Sequence, residues 1–330
     1  MATYTIIKLK NLSPLHIGTG KENYDFSAAE LQSDTLSAAL AAIRAQKGKT
    51  DDLAEFLDSF KLSSAFPFID NHYFFPKPQG RLDIVLTDCD EYISRKKIKK
   101  IQFIEFKLWQ EIIKGKRLSV QTKQLEDKFL LASIPNNGFE KLYVSQVNQR
   151  VSVPREEGKD AEPFFFDWKF FNPNSGLYCL LEAQDSSLKE IVELFKELGE
   201  VGIGTDKNIG GGKFDIETAS IHLDVVSDAN ATMLLSLYIP TEDELPNLCL
   251  EDSHYELIQR GGFIAGSEES DFRHLRKKSI CMFNVGTVFN SVQALSGKIV
   301  DLKPAWNDER MHPVYRSGKP IVVSIKTAKL

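Results

Sequence analysis

Cysteine is scarce in this chain. The four present, Cys89, Cys179, Cys249 and Cys281, are far apart, with no C-x-x-C pair and no histidine at ligand spacing. That pattern argues against a disulfide framework and against a structural zinc module. Long apolar runs are missing too: none approaches the roughly 20 residues needed to cross a bilayer. The N-terminus, MATYTIIKLK, reads as a strand and not as a basic segment leading into an apolar stretch. No membrane association is expected, and a cytoplasmic protein is. An excess of positive charge is also absent. The net charge of −5 argues against indiscriminate coating of nucleic acid, yet it leaves room for a local basic groove. At 330 residues the chain exceeds one ordinary domain, so two cores are expected.

What the chain does have is a concentration of glycine from Gly199 to Phe214, GEVGIGTDKNIGGGKF, directly after an amphipathic helix. Glycine lets the backbone adopt positive φ and approach another chain closely, and N–H groups flanked by Lys207 and Lys213 favour an anion such as a phosphate backbone. The loop is not a Walker A element, because Phe214 stands where a magnesium-holding Ser or Thr would follow the lysine. It is not a dinucleotide fingerprint either, since Lys207 occupies the third glycine position. A tight turn demanded by the fold alone is the competing explanation. An echo lies near the N-terminus, Leu15-His16-Ile17-Gly18-Thr19-Gly20, after the first strand.

Patterning suggests an α+β chain. Tyr4–Leu9 alternates as a half-buried strand, Ser33 or Asp34 caps a helix through about Arg44, and Asp51 or Asp52 opens a second one. Phe66–Ile69 and His72–Phe75 flank Asp70-Asn71 as a compact hairpin. From Tyr92 to Arg155 the texture becomes Lys- and Arg-rich, with helical spacing around Ile101, Ile104, Leu108 and Ile112, as in an insertion standing off the first core. The polar stretch Pro154–Lys159 is the linker candidate. A strand at Leu177–Leu181, a helix at Leu188–Leu198 stopped by Gly199, and a strand at Thr232–Ile239 follow. The apolar strand Ile321–Ile325 is expected in the core.

Several short motifs in order resemble a known family. Leu15-His16-Ile17-Gly18, Ser33-Asp34-Thr35-Leu36, Phe74-Phe75-Pro76-Lys77-Pro78, Gly202-x-Gly204 with Gly210-Gly211-Gly212-Lys213-Phe214, and His312-Pro313-Val314-Tyr315-Arg316-Ser317-Gly318-Lys319 are similar to motifs of the RAMP superfamily of CRISPR effector proteins. Within it, the chain resembles the group that caps the 5′ end of the guide RNA in type III-A Csm complexes. The resemblance implies two ferredoxin-like modules, one over residues 1–155 with a thumb-like insertion at about 92–150, the other over 160–330 carrying the glycine loop 199–214. It also implies that the chain grips the repeat-derived 5′ tag of the crRNA and contacts the large signalling subunit and an adjacent backbone subunit. No cofactor, metal or catalytic residue is expected. The residues expected at RNA are His16, Gly18, Thr19, Gly20, Ser33, Lys97, Lys99, Lys100, Arg150, Arg155, Gly202, Gly204, Lys207, Asn208, Gly210, Gly211, Gly212 and Lys213.

Alternatives attach to several of these. Arg95-Lys96-Lys97-Ile98-Lys99-Lys100 can neutralise phosphates or be a solvated patch offsetting Asp88, Asp90 and Glu91. His16 could serve as general base of a metal-independent endoribonuclease acting on the guide precursor, but no partner for the leaving oxygen is visible, so a structural or stacking role is expected. Asp34 raises a similar question, because backbone subunits of the complexes that the chain resembles cut target RNA with a loop aspartate, but its Ser-Asp-Thr setting is also what a helix start requires; capping is expected. Phe164-Phe165-Phe166-Asp167-Trp168 could stack bases but is expected in core or interface. A protein-only assembly subunit is a third possibility.

Overall fold

The computed structural model describes residues 2–18, 24–28, 30–134, 139–154, 158, 160–264, 271–272, 275–305 and 308–327. The N-terminal part runs β1 (Ala2–Lys10), α1 (Ser33–Gln46), α2 (Leu53–Asp58), β2 (Phe60–Leu62), β3 (Phe66–Ile69) and β4 (His72–Pro76). Next come β5 (Ile84–Leu86), α3 (Glu91–Lys100), β6 (Phe103–Glu105), α4 (Phe106–Ile113), β7 (Leu118–Val120), β8 (Leu125–Glu126) and β9 (Phe129–Leu130). A long hairpin, β10 (Tyr143–Ser152) and β11 (Glu162–Phe171), precedes β12 (Ser175–Ala183), α5 (Asp185–Val201) and β13 (Asp215–Leu223).

One sheet orders these strands β13–β1–β12–β3–β4–β6–β9–β8, with β2 also on β12. Its heart is a β-α-β-β-α-β arrangement in which β1, β3, β12 and β13 are antiparallel neighbours and α1 and α5 cover one face. Alternation along β1 explains both cores. Ile7 and Leu9 pack with Leu36 and Leu40 of α1 and Phe195 and Leu198 of α5. Ile6 points the other way, into a cluster with Tyr178, Phe75, Trp109, Met233 and Val323. That second face is therefore sealed by protein and offers no open aromatic platform.

The remaining strands are β14 (Ala231–Leu234), β15 (Leu257–Arg260), β16 (Ile280–Phe283), β17 (Val288–Phe289), β18 (Ile299–Asp301), β19 (Tyr315–Ser317) and β20 (Val322–Ile325). They form a sheet β17–β14–β20 and two hairpin-like pairs, β15–β16 and β18–β19. No α-helix occurs among the described residues from 227 onward. The tail strand is core, as expected, and the strand expected at Thr232–Ile239 is regular only as Ala231–Leu234.

Several expectations change. A boundary at 155–160 does not separate two cores, because β12 and β13 pair with β1: Ile7 stands opposite Cys179 and Ile6 opposite Ala219. Helix α5 and the glycine loop thus belong to the first unit, and Pro154–Lys159 connects the paired strands β10 and β11. Residues 92–130 extend the sheet and do not stand off it, since Phe74 pairs with Glu105 and fully buried Trp109 donates to the Pro76 carbonyl at 3.0 Å. The helical spacing at Ile101–Leu108 is interrupted because β6 is captured by β4. Helix α5 runs through Gly199 to Val201, where Gly202 at φ 89 caps it. At Gly199 a β-carbon would stand 2.2 Å from the Phe214 carbonyl, so the glycine serves close packing of loop on helix.

Ser33 and Asp34 do not cap α1; Gln32 is the N-cap. The Ser33 hydroxyl accepts the Leu237 N–H at 2.9 Å inside the protein, which removes Ser33 from any RNA surface. Asp34 is completely buried. Its carboxylate accepts from Arg260 of β15 at 2.9 and 3.0 Å and from Arg316 of β19. Burial lowers the pKa of the Arg316 guanidinium to about 10, which leaves it charged near neutral pH. This ion triad binds the start of α1 to two C-terminal strands. Asp34→Ala strands the buried Arg316 guanidinium and the half-buried one of Arg260 and is expected to cost about 3–5 kcal/mol, read as a lowered unfolding midpoint; a loss within about 0.5 kcal/mol, the range of an ordinary surface change, would contradict the triad.

Candidate nucleic-acid interface

The antiparallel pairing of β1 with β13 puts Lys10 opposite Asp215. The loop leaving β1 and the glycine loop entering β13 must therefore lie side by side. Backbone bonds join them: the Gly212 N–H to the Pro14 carbonyl at 2.9 Å, Thr205 N–H to His16 carbonyl at 2.9 Å, and Ser13 N–H to Lys213 carbonyl at 2.9 Å. Here the expectation of free loop amides fails. The N–H groups of Gly202, Gly210 and Gly211 are taken by the carbonyls of Leu198, Lys207 and Asp206, at 2.7, 3.0 and 3.1 Å. The glycines are required by close approach. A β-carbon on Gly212 would sit 1.8 Å from the Ile203 carbonyl oxygen, and one on Gly211 would sit 2.7 Å from the Trp168 ring. A β-carbon on Gly204 would meet the His16 carbonyl at 2.3 Å. What the loop exposes is Lys207, Asn208, Ile209 and Lys213, while Gly18 is exposed on the neighbouring loop.

Against these two loops docks the base of the β10–β11 hairpin. A two-stranded hairpin is marginal alone, so its anchorage matters. Leu15 and Lys169 exchange backbone bonds at 3.0 Å in both directions, and Asp167 N–H donates to the Tyr24 carbonyl at 2.9 Å. The buried Asp167 carboxylate accepts from the Ser27 N–H at 3.0 Å and from the Ser145 hydroxyl. His16, also fully buried, donates from Nδ1 to the Asp167 carbonyl at 2.8 Å, which fixes the tautomer because a carbonyl can only accept. Its Nε2 lone pair has no partner among the described residues. The ring lies 4.3 Å from Phe166, centroid to centroid.

Alternation puts Phe164, Phe166 and Trp168 on one hairpin face with Arg150, which pairs opposite Phe164. The Arg150 guanidinium lies 4.3 Å from the Phe166 ring centre and 5.4 Å from that of Trp168, and it pairs with Asp206 of the glycine loop. His16, Gly204, Gly211 and Arg150 thus converge in one place. Phe166 and Trp168 are buried as expected of core; Phe165 is not, at 54% exposed. Beyond its base the hairpin projects, and Val147, Val151 and Phe165 stand exposed on the face opposite Arg150.

Lys97, Lys99 and Lys100 lie on α3, which packs on β5 and buries only Ser94. Thr19, Gly20 and Arg155 lie outside the described residues. Asp167, Asp206 and Tyr24, central to the anchorage, carry no motif in the sequence; only the antiparallel register reveals them. Among the described residues, no group of three or more His, Cys, Asp and Glu is placed to hold a metal, and no helix is long and apolar enough to cross a membrane.

Known proteins share this design. Residues 8–215 match the family model of the RAMP superfamily and residues 227–325 that of the CRISPR Csm4 C-terminal domain, with residues 216–226 between the two matches. The chain belongs to the RAMP superfamily, as a Csm4-type CRISPR subunit. It is 27% identical over 310 residues to the CRISPR system Cms protein Csm4 of Mycobacterium tuberculosis, covering 93% of each chain. Among solved structures it resembles a chain of a Csm1-Csm4 cassette in complex with cA4, with a TM-score of 0.63, 16% identity and full coverage of both chains. It also resembles a chain of a Csm3-Csm4 subcomplex of a type III-A CRISPR-Cas interference complex, with a TM-score of 0.62 and 19% identity over 98% of this chain and all of that one.

Gly211→Val pushes into Trp168 and separates the loop from the hairpin base. Hydrogen exchange at the Gly212 amide should then accelerate by about tenfold or more, ahead of global unfolding; unchanged exchange would show that the loop holds without that contact.

Proposed function

We propose that this chain is the non-catalytic RNA-binding subunit of a type III-A CRISPR interference complex, anchoring the repeat-derived 5′ tag of the crRNA and bridging the large signalling subunit to an adjacent backbone subunit. The bridging role is supported by the partners that similar chains keep, Csm1 in one structure and Csm3 in another. The observation that carries the RNA role is the docking of a projecting hairpin on the β1 and glycine loops. In this reading the β-α-β-β-α-β unit is a ferredoxin-like module and β10–β11 is its thumb, displaced toward the C-terminus of the segment first expected.

Phosphates are held by side chains, not by glycine amides: Lys207 and Lys213 on the loop, with Arg150 behind them, and Asn208 as a neutral donor. Such contacts give affinity without reading sequence. The exposed Phe165, Val147 and Val151 supply a wedge against which unstacked bases rest. His16 holds the hairpin base. Its Nδ1 is committed to Asp167 and its ring is sealed, so a general base reaching a 2′-hydroxyl is not what this geometry provides. Asp34, clamped by two arginines, is likewise withdrawn from cutting RNA.

The full chain should retain RNA bearing the repeat-derived tag better than a scrambled RNA of the same composition, without cleaving it. Phe165→Ala with Val151→Ala should weaken retention by roughly 5- to 150-fold, the range set by losing about 1–3 kcal/mol of base stacking, with little change in unfolding midpoint. Equal retention of tag and scramble, or site-specific cleavage abolished by His16→Ala, would overturn the proposal.

A further inference from the structure

The far side of the hairpin base holds two lysines with carboxylates near them but, among the described residues, none in contact. Lys169 is 5% exposed, and among the described residues its ammonium meets the Tyr143 hydroxyl at 3.5 Å, the Tyr143 ring at 4.7 Å and the Phe26 ring at 6.0 Å. Lys128, in the turn joining β8 to β9, approaches the same Tyr143 ring at 5.6 Å and those of Phe103 and Phe129 at 5.4 and 5.9 Å. Among the described residues neither ammonium makes an ion pair, whereas buried Lys8 and Arg44 on other elements both do. Burial lowers both lysines' pKa values; Glu30 and Asp127 oppose the fall at Lys128, and at Lys169 Asp167 and Glu30 oppose it while the nearby Lys128 adds to it. A desolvated ammonium without an anion in contact costs stability. An anion from outside the chain would supply the contact that these carboxylates do not make.

Because alternate residues of β11 face opposite ways, Lys169 lies on the reverse side from Trp168 and Arg150. We infer that Lys128 and Lys169, both approaching the Tyr143 ring, hold one phosphodiester of the guide RNA where the strand passes the base of the hairpin on the face that also carries Phe165. The inference rests on the RNA-holding role proposed above and adds a phosphate contact beside its wedge. Two like charges converging on one aromatic ring suit a bridging monoanion, and the ring gives both ammonium groups a cation–π rest while the site is empty.

The test uses the full chain with tag RNA. Lys128→Met with Lys169→Met should weaken binding and reduce the slope of log affinity against log salt by about 0.7, the value for one phosphate of a single strand. The unfolding midpoint of the RNA-free chain should stay level or rise, because one buried and one half-buried charge without a contact partner are gone. In a scan that neutralises one link at a time as methylphosphonate, one link should cost the wild type affinity and cost the variant none. A lowered midpoint with an unchanged salt slope overturns the inference and makes the lysines structural. So does inorganic phosphate stabilising the wild type but not the variant while RNA binding is identical, which marks a free-phosphate site. If the wild type does not distinguish tag from scramble, the broader RNA role itself fails; if it does and the slope holds, only this phosphate contact fails.

Discussion

The register of β1 against β13 is the constraint on which the candidate interface depends. With Lys10 opposite Asp215, two loops separated by nearly the whole first unit in sequence have to meet at one end of the sheet. Their contact is so close that only residues without a β-carbon fit at Gly204 and Gly212. The hairpin then adds its base to that pair through Leu15, Tyr24 and Ser27. A projecting ribbon on a rigid three-segment footing is what a thumb needs: loose footing would spread the bound strand over many geometries and lose specificity to entropy.

A second constraint acts at the start of α1. Asp34 with Arg260 and Arg316 ties the first unit to the C-terminal strands, and the buried serines beside it continue the joint, with the Ser64 N–H donating to the Leu235 carbonyl and Ser33 accepting from Leu237. Charged groups buried this deeply are costly unless fully paired, so the triad favours one mutual arrangement of the units over alternatives. Asp34 thus serves as a joint between the units.

Sequence reasoning captured what depends on local chemistry. The β1 alternation, the Asp70-Asn71 hairpin and the helices α1 and α5 were all legible, because periodicity and turn residues are local signals. Strand partnership is not local, and so the division at 155–160 was misplaced: nothing in Ser175–Ala183 announces that it pairs with Ala2–Lys10. Glycine carried a second ambiguity. Close packing and ligand cradling both demand a missing β-carbon, and only the hydrogen-bond partners of the loop distinguish them. Lys128 and Lys169 were invisible for the opposite reason, being single lysines in unremarkable surroundings while the dense cluster on α3 drew attention.

The central claim is that the guide's 5′ tag lies against the hairpin and the exposed edge of the glycine loop. Photocrosslinking of tag RNA carrying 4-thiouridine, followed by mapping of the attached peptides, tests it most directly. Crosslinks should fall within residues 143–171 and 207–213. Crosslinks confined to α3 or to the strands from β14 onward would contradict it.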